Sequence, residues 1–354
     1  MRVIRRISAV LIGFVFFLSG ILKLMDPVGA KLVVEEYLKF LHLGFLLGIS
    51  GLIGSGMALL ETLLGAALIT GVWRKVTAVV TGVLLGFFTL LTLLLYLKNP
   101  PMDCGCFGEA IHLTHLQSLL KNLVLLGLWA LACFPLKKQE QTRRVKYVSF
   151  PIAAVSVCLF LLFSSLSIPL VDFTPFKPGA ELMLPEDIDD PTDDRTPTLS
   201  LSDAAGNYVD EMLINGNLMV ISVYEPEKIS PARWEKIGTL VRECPPLGYT
   251  PMILAAATPA MMESLVSSPE ILASTYFADR KKLLTLNRSN GGATYIDDGL
   301  IVKKWSVRRL PDHEKLMEVS GTDVTESLLS ENNSDRIKLQ AFLLYVFADR
   351  KSVV

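Results

Sequence analysis

The protein has 354 residues, of which 51% are hydrophobic and only 19% are charged, and its mean hydropathy is +0.44. Because an ordinary soluble domain is about 25% charged, this composition excludes a simple soluble enzyme, a disordered chain and a nucleic-acid-binding protein. The formal net charge of −1 conceals a division of the chain. Through Val171 there are 15 Lys and Arg against 7 Asp and Glu, or +8, whereas the remainder has 19 against 28, or −9.

The apolar half contains five segments long enough to cross a bilayer as helices. A spanning helix needs roughly 20 predominantly apolar residues, because backbone polar groups cannot stay unpaired in hydrocarbon. The five segments are residues 7–24, 47–73, 76–97, 118–136 and 147–170. The first also fits a cleaved signal peptide, since Arg2, Arg5 and Arg6 precede its apolar core, but no small-residue cleavage motif follows it. We therefore expect this half to lie in the lipid bilayer.

Basic residues in the connecting loops predict the orientation of these spans. Lys and Arg of short loops are retained on the cytoplasmic side of the membrane. With a cytoplasmic N-terminus, ten of them lie in inside loops and five in outside loops. Five spans then place the acidic half in the periplasm. The expected location is the bacterial cytoplasmic membrane, with a periplasmic C-terminal domain.

The first outer loop contains a short amphipathic segment, residues 30–41. Its apolar residues recur at helical spacing and oppose charged residues that include Lys31 and Glu35. We expect a helix that lies on the outer interface of the membrane.

Two cysteines separated by one glycine lie in the second outer loop. Cys104, Gly105 and Cys106 follow two prolines and precede Gly108, which indicates a tightly turned backbone. A disulfide needs Cα atoms about 4.4–6.8 Å apart, and cysteines this close reach that distance only in a bent conformation that glycine permits. Such a small ring is strained and easily reduced, which favours a working disulfide over a structural one. The outer side of the membrane is also where disulfides persist.

Two alternatives to thiol–disulfide chemistry remain at this loop. Cys104, Cys106, His112 and His115 have the spacing C-x-C-x5-H-x2-H, which suits a soft metal ion. Alternatively, the two thiols have no chemical function. No Lys or Arg lies between residues 99 and 120, so a histidine is the expected source of positive charge near the thiols.

An acidic residue, Glu61, lies near the middle of the second predicted span. A carboxylate there costs a few kcal/mol on insertion scales, so it is expected to face a partner or a cavity. Two interpretations stay open: a proton carrier beside a redox centre or a quinone, and a protonated acid that only locks helix packing. Quinone is therefore the one cofactor under consideration. Lys23, near the outer end of the first span, is expected to extend its ammonium group to the interface.

Three segments of the apolar half carry a family resemblance: residues 19–26 (SGILKLMD), 60–65 (LETLLG) and 103–108 (DCGCFG). Over about residues 1–135 they resemble the methylamine-utilisation MauE family, within the wider DoxX-like group of four-helix membrane proteins. The resemblance implies a membrane protein that helps to mature a disulfide-rich periplasmic partner, in that family a subunit of methylamine dehydrogenase. It also implies that Cys104 and Cys106 are the exchanging pair, while Glu61 and Lys23 match the other two motifs.

The acidic half is predicted to contain a linker and an α/β domain. Residues 172–197 are acidic and rich in proline, a composition that indicates a solvated tether. The elements that follow have the order β-α-β-α-β-β-α, which resembles a thioredoxin-like fold. They are buried strands at 218–224 and 249–257, helices at 230–241, 259–265 and 334–347, and a hairpin at 292–305 turned at Asp298 and Gly299. An edge strand and turn at 199–206 precede them.

This α/β domain lacks the redox motif of a thioredoxin. Thioredoxins carry Cys-x-x-Cys after the first buried strand, at the start of the next helix, where the helix dipole lowers the thiol pKa. Residues 224–230 (YEPEKIS) stand there instead. The one thiol of this domain, Cys244, is expected to be packed or idle, and His313 to lie in a solvated loop.

The predicted architecture is a four-helix MauE/DoxX-like membrane domain (1–136), a cytoplasmic loop with a fifth transmembrane helix (137–171), the linker (172–197) and the thioredoxin-like domain (198–354). The predicted function is thiol–disulfide exchange with a periplasmic thiol or disulfide protein, the reaction of a thiol–disulfide oxidoreductase. The alternatives are a non-catalytic membrane-anchored assembly factor and a metal-binding membrane protein. No nucleic-acid partner is expected.

Overall fold

The computed structural model describes residues 2–134, 144–166, 171–187 and 196–330, together with the single positions 169, 337 and 340. The chain divides into two compact units, one built on Met1–Leu166 and one on Ser167–Leu344. Each unit has its own hydrophobic core. The boundary lies close to the point at which the charge of the sequence changes sign.

The first unit is helical. Its elements are α1 (Arg2–Met25), α2 (Pro27–Phe40), α3 (Ser50–Thr70), α4 (Arg74–Lys98), the short strand β1 (Cys106–Glu109), α5 (His115–Cys133) and α6 (Arg144–Leu166). Four described segments are long and apolar enough to cross a membrane: Val3–Met25, Gly44–Thr70, Arg74–Lys98 and His115–Cys133. The predicted four-helix membrane fold is confirmed.

The fifth predicted span lies on α6. Its apolar part within the described residues, Phe150–Ser165, is shorter than the four candidate spans, and Pro151 lies inside the helix near the start of that part. The Ser164 hydroxyl donates to the Met25 carbonyl oxygen at 2.9 Å, so α6 packs on the bundle. The fifth span stays a prediction, and with it the side of the membrane on which the acidic half lies.

Helices α1 and α3 form the most extensive packing contact among the described helices. Small residues allow this close approach. A Cβ added at Gly65 would lie 2.6 Å from the Gly13 carbonyl oxygen and would overlap the backbone of Phe17. The two backbones are thus in direct contact, which places Lys23 of α1 opposite Glu61 of α3.

Helix α2 differs from the helix expected to lie on the membrane interface. It packs on α3, and Asp26 caps its N-terminus by accepting a hydrogen bond from the Gly29 amide at 2.9 Å. Glu35, predicted on the solvated face, is buried, and the Ser50 hydroxyl donates to its carboxylate at 3.2 Å. The charged side of α2 therefore faces the bundle at Glu35, because α3 supplies a polar partner there.

The second unit is built on a six-stranded mixed sheet of order β2-β5-β4-β3-β6-β7. The strands are β2 (Leu201–Ser202), β3 (Asn217–Val223), β4 (Thr250–Ala255), β5 (Thr275–Ala278), β6 (Gly292–Asp297) and β7 (Leu300–Trp305). The helices are α7 (Pro231–Glu243), α8 (Pro259–Leu265), α9 (Pro269–Ala273), α10 (Arg280–Leu286) and α11 (His313–Ser320). Strand β3 pairs parallel with β4 and antiparallel with β6, which pairs antiparallel with β7. These directions are the ones expected of a thioredoxin-like fold.

The turn between β6 and β7 agrees with its prediction. Asp298 and Gly299 have φ values of 44° and 83°, and two successive positive φ angles define a type I′ hairpin turn. Other elements differ: β5, α9, α10 and α11 were not predicted, and His313 begins a helix instead of lying in a loop. The predicted last helix, 334–347, lies almost wholly outside the described residues.

The predicted linker is too long, because its first part packs on the α/β unit. Phe176 is fully buried, and the Gly179 amide donates to the Ile301 carbonyl oxygen at 2.7 Å. Lys304 Nζ lies 2.6 Å from Asp172 Oδ2 in a buried ion pair. The acidic residues after position 185 dominated the average composition of the segment, so the composition did not reveal the residues that contact the α/β unit. Residues 188–195 lie outside the described part of the chain.

The packing of α1 on α3 predicts a strong contrast between two glycine substitutions. Gly65→Ala should destabilise the membrane unit by about 1–3 kcal/mol, because its methyl group has no space between the helices. Gly86→Ala on α4 is the matched control, since no atom lies within 4 Å of its added Cβ. Thermal unfolding in detergent should show a lower Tm for Gly65→Ala only. Equal Tm values would contradict the close contact of α1 and α3.

Candidate functional site

The Cys-Gly-Cys loop connects α4 to α5 and is held by side chains of two other helices. The Tyr37 hydroxyl of α2 donates to the Cys104 carbonyl oxygen at 2.5 Å. The Ser19 hydroxyl of α1 lies 2.6 Å from the Cys106 carbonyl oxygen. The backbone on the two sides of the central glycine is therefore fixed by different helices.

Gly105 is required at the centre of this loop for two reasons. Its φ of +54° lies in the left-handed region, which side chains disfavour. An added Cβ would also overlap a methyl group of Val33 on α2. The glycine thus provides both the bend between the cysteines and the space against α2.

The two thiols differ in exposure. Cys104 is 2% exposed, whereas Cys106 is partly exposed. Burial raises the pKa of Cys104, and the neighbouring Cys106 and Asp103 act in the same direction. The Ser118 hydroxyl and the Lys121 ammonium oppose this shift, because both stabilise the thiolate. The pair therefore combines a buried thiol with a more accessible one.

Lys121 supplies the positive charge that was expected from a histidine. It lies in the second turn of α5, just beyond the window in which the sequence showed no basic residue. Its Nζ is 5.0 Å from the centre of the Phe107 ring, and its charge acts on Cys104. Spacing along the chain could not show this, because α5 returns over the loop only in the folded bundle.

The two histidines of the alternative metal site bond to other groups. His112 Nδ1 lies 2.7 Å from Asp103 Oδ2. His115 Nε2 lies 2.9 Å from the Met102 carbonyl oxygen, and its Nδ1 lies 3.2 Å from Asn99 Oδ1. Among the residues that the structure describes, no group of three or more His, Cys, Asp and Glu side chains is arranged to hold a metal ion. The geometry therefore gives no support to the metal alternative.

Glu61 is buried in an ion pair with Lys23. The carboxylate is 3% exposed, and Lys23 Nζ donates to its two oxygens at 2.8 and 2.9 Å. Ser19 Oγ lies 2.7 Å from Glu61 Oε2, so a continuous polar path joins the pair to the Cys106 carbonyl oxygen. The expectation that Lys23 reaches to the interface is wrong, since a buried carboxylate lies within its reach.

A cavity of about 280 Å³ lies between the helices next to the cysteine loop. Most of its wall is apolar. The polar side chains and cysteines that line it are Ser19, Lys23, Tyr37, Glu61, Thr92, Cys104, Cys106, Lys121 and Asn122. The four residues singled out in the sequence motifs, Lys23, Glu61 and the two cysteines, thus share one cavity. Tyr37, Lys121 and Asn122 were missed, because they lie outside any motif and on two helices, α2 and α5, that are far apart in the sequence.

In the α/β unit, the position of a thioredoxin motif holds charged side chains. Glu225, between β3 and α7, pairs with Arg280 at 2.7 Å and with Lys228 at 3.0 Å. Cys244 is fully buried, and burial raises its pKa to about 12. It is a packed thiol, as expected. The described residues of this unit therefore hold no accessible thiol of their own.

The charges around Cys104 predict how its alkylation depends on pH. Because burial raises its pKa, the midpoint for reaction with iodoacetamide should lie above about 8.5, the value of an ordinary cysteine. Lys121→Met should move the midpoint higher still, since it removes a cation that stabilises the thiolate. Lys98→Met, which removes a cation outside the cavity, should leave it unchanged. Mass spectrometry of each cysteine gives the midpoints, and an unshifted midpoint in Lys121→Met would refute the role of this lysine.

The buried ion pair predicts a non-additive pair of substitutions. Glu61→Gln or Lys23→Met alone should destabilise the membrane unit by about 3–5 kcal/mol, because each leaves an uncompensated buried group. The double variant should recover much of this loss. Unfolding of all four proteins in detergent forms a double-mutant cycle. Simple addition of the two single effects would contradict direct pairing.

Comparison with known proteins finds a family model that matches the membrane half. Residues 1–135 match the family described as Methylamine utilisation protein MauE. Protein TlpB of Flavobacterium psychrophilum is 28% identical over 156 residues, which are 43% of this chain and 42% of that protein. The chain thus matches less than half the length of this curated relative, and no solved structure matches it significantly. The protein is a membrane protein whose residues 1–135 are similar to the MauE family.

Proposed function

We propose that this protein exchanges thiol–disulfide equivalents with a periplasmic client through Cys104 and Cys106. The proposal rests on one observation, the structural difference between Cys104 and Cys106. One thiol is buried and one is accessible, and the backbone between them is fixed from both sides by α1 and α2. Cys106 then receives the client, and Cys104 is the leaving group when the client attacks.

The exchange transfers one disulfide bond from the Cys104–Cys106 pair to the client. A client thiolate attacks the Cys106 sulfur of the oxidised pair, the bond to Cys104 breaks, and Cys104 leaves as a thiolate that takes up a proton. A second client thiolate attacks the mixed disulfide, which releases the client disulfide and the reduced Cys106. The client loses two electrons and two protons, and the pair gains them. Lys121 stabilises the departing Cys104 thiolate, since its charge lowers the pKa of that group.

The direction of exchange follows from the size of the disulfide ring. A Cys-Gly-Cys disulfide is expected to be strained, and strained disulfides are the more readily reduced. The oxidised pair therefore passes oxidising equivalents to its client. Disulfide-rich periplasmic proteins are the client class, and the subunit of methylamine dehydrogenase that the family resemblance implies is one example.

The α/β unit is proposed to bind the client. It has the strand order of a thioredoxin-like fold, and Cys244 is packed in its core. A domain of this kind recognises a polypeptide without exchanging electrons. The basic residues of the predicted inside loops favour the periplasmic side for this unit and for the cysteine loop.

The asymmetry of the two thiols predicts which variant traps a client. Cys104→Ser should accumulate a mixed disulfide at Cys106, because the Cys106 thiolate can attack a client disulfide and no Cys104 thiol is present to displace the client. Cys106→Ser should trap far less, since Cys104 is buried. Cys133→Ser, which leaves the loop intact, should behave like the wild type. Non-reducing electrophoresis of membranes after acid quenching shows the adducts, and mass spectrometry identifies them.

A thiol-reactive mass tag, applied to membranes with and without reductant, shows whether Cys104 and Cys106 change redox state. If Cys104 and Cys106 never change state, and Cys104→Ser traps no protein, the redox proposal is wrong. The loop then has a structural role, and the protein is a membrane-anchored assembly factor.

A further inference from the structure

The cavity next to the cysteine loop offers a place for the oxidant that must reoxidise the pair, an inference that rests on the proposed exchange. Each cycle leaves Cys104 and Cys106 reduced, so two electrons and two protons must move to an acceptor. Both cysteines and Gly105 line the cavity of about 280 Å³. An acceptor bound there would meet the thiols directly.

The wall of the cavity restricts the acceptor to an apolar molecule. Helix α4 contributes Leu85, Phe87, Phe88 and Leu91 to it, and the other helices add further aliphatic side chains. Phe87 is 49% exposed as well as lining the cavity, so the cavity reaches the outer surface of α4. That surface belongs to a candidate membrane span, where lipid surrounds the helix. The acceptor therefore enters from the bilayer, which excludes water-soluble disulfides and nucleotides.

The polar groups of the cavity are suited to a ring that carries oxygen atoms. Lys121 Nζ faces the Phe107 ring and, within the described part of the chain, makes no ion pair with a carboxylate. Asn122, the next residue, is buried, and its side-chain amide donates to Thr92 Oγ1 at 3.2 Å. The ammonium of Lys121 is therefore available to donate to a carbonyl oxygen and to stabilise negative charge on it. A simple acyl chain has no oxygen atom in this position to accept a hydrogen bond from Lys121.

We propose that the cavity binds the head group of a membrane quinone, which oxidises the Cys104–Cys106 dithiol. The two S–H bonds break and one S–S bond forms. The quinone accepts two electrons and two protons, and its two carbonyl groups become the hydroxyls of a quinol. The volume is close to the lower limit of about 300 Å³ for small-molecule pockets, which suits a ring and the start of its tail.

Titratable side chains that exchange protons lie on the side of the cavity next to the loop. Ser19 Oγ contacts both the Cys106 carbonyl oxygen and Glu61 Oε2, and Lys23 Nζ contacts both oxygens of Glu61. All three side chains line the same cavity. The Glu61 carboxylate, a base, and the Lys23 ammonium, an acid, thus line the cavity that holds the cysteines.

Two leucines of α4 provide a matched test. Leu91 lines the cavity, whereas its neighbour Leu90 is 59% exposed and does not. Purified full-length protein, reduced and freed of reductant under nitrogen, is mixed with decylubiquinone, and quinol formation is followed by absorbance. We expect one quinol for each Cys104–Cys106 disulfide formed, as counted by mass tagging. Leu91→Trp should lower the rate about tenfold or more, because the indole occupies the cavity, and Leu90→Trp should not.

Exchange with glutathione disulfide, measured on the same samples, separates the two proposals. A wild-type protein that exchanges with glutathione but forms no quinol overturns the quinone site and leaves the proposed function intact. A pair inert toward both reagents overturns both. Equal rates for the two tryptophan variants would show that quinone reacts outside the cavity.

Quinone binding is also measured in a variant that cannot react, so that a loss of rate is not confused with a loss of fold. The Cys104→Ser/Cys106→Ser protein should still retain decylubiquinone in equilibrium dialysis but reduce none of it. Retention by Leu91→Trp equal to that of the wild type would overturn the assignment of the cavity. Displacement of bound quinone by oleate at equal concentration would show a site for acyl chains and would also overturn it.

Discussion

The ion pair between Lys23 and Glu61 is the constraint on which the membrane unit depends. Two charged groups between apolar helices are costly unless they meet with good geometry, so α1 and α3 must approach closely and in one register. Gly65 allows that approach, because any larger residue would overlap α1. Once the register is set, Ser19 lies between Glu61 and the carbonyl oxygen of Cys106. The position of the cysteine loop is thereby linked to the buried carboxylate of Glu61.

The cysteine loop shows how a short motif acquires its properties from distant helices. Gly105 allows the bend, but α2 determines where the loop lies, through Tyr37 and through the close contact with Val33. Burial against the bundle makes Cys104 a weak acid, and Lys121 moderates that effect. The same burial distinguishes a protected thiol, Cys104, from a more accessible one, Cys106, and the proposed exchange rests on this difference. The α/β unit, with its packed Cys244, is left free for a binding role.

Predictions succeeded where a feature depends on residues that are close in the sequence, and they failed where it depends on tertiary contacts. The membrane helices and the Asp298–Gly299 turn depend on local composition and local backbone conformation, and both were predictable. The short elements β5 and α10 were missed, because tertiary contacts stabilise them and their own periodicity is weak. The segment after Asp172 was interpreted as a tether, since its average composition concealed Phe176, a single fully buried anchor.

The sequence by itself determined the two-part architecture, the apolar spans, the absence of a thioredoxin-type Cys-x-x-Cys and the unusual Cys-Gly-Cys unit. These features are encoded by neighbouring residues, so charge and spacing reveal them. Only the tertiary structure decided that Lys23 pairs with Glu61, that the histidines bond elsewhere and that Tyr37 and Lys121 join the site. The physical reason is that helical periodicity shows which residues share a face, whereas the packing of the helices decides which faces meet.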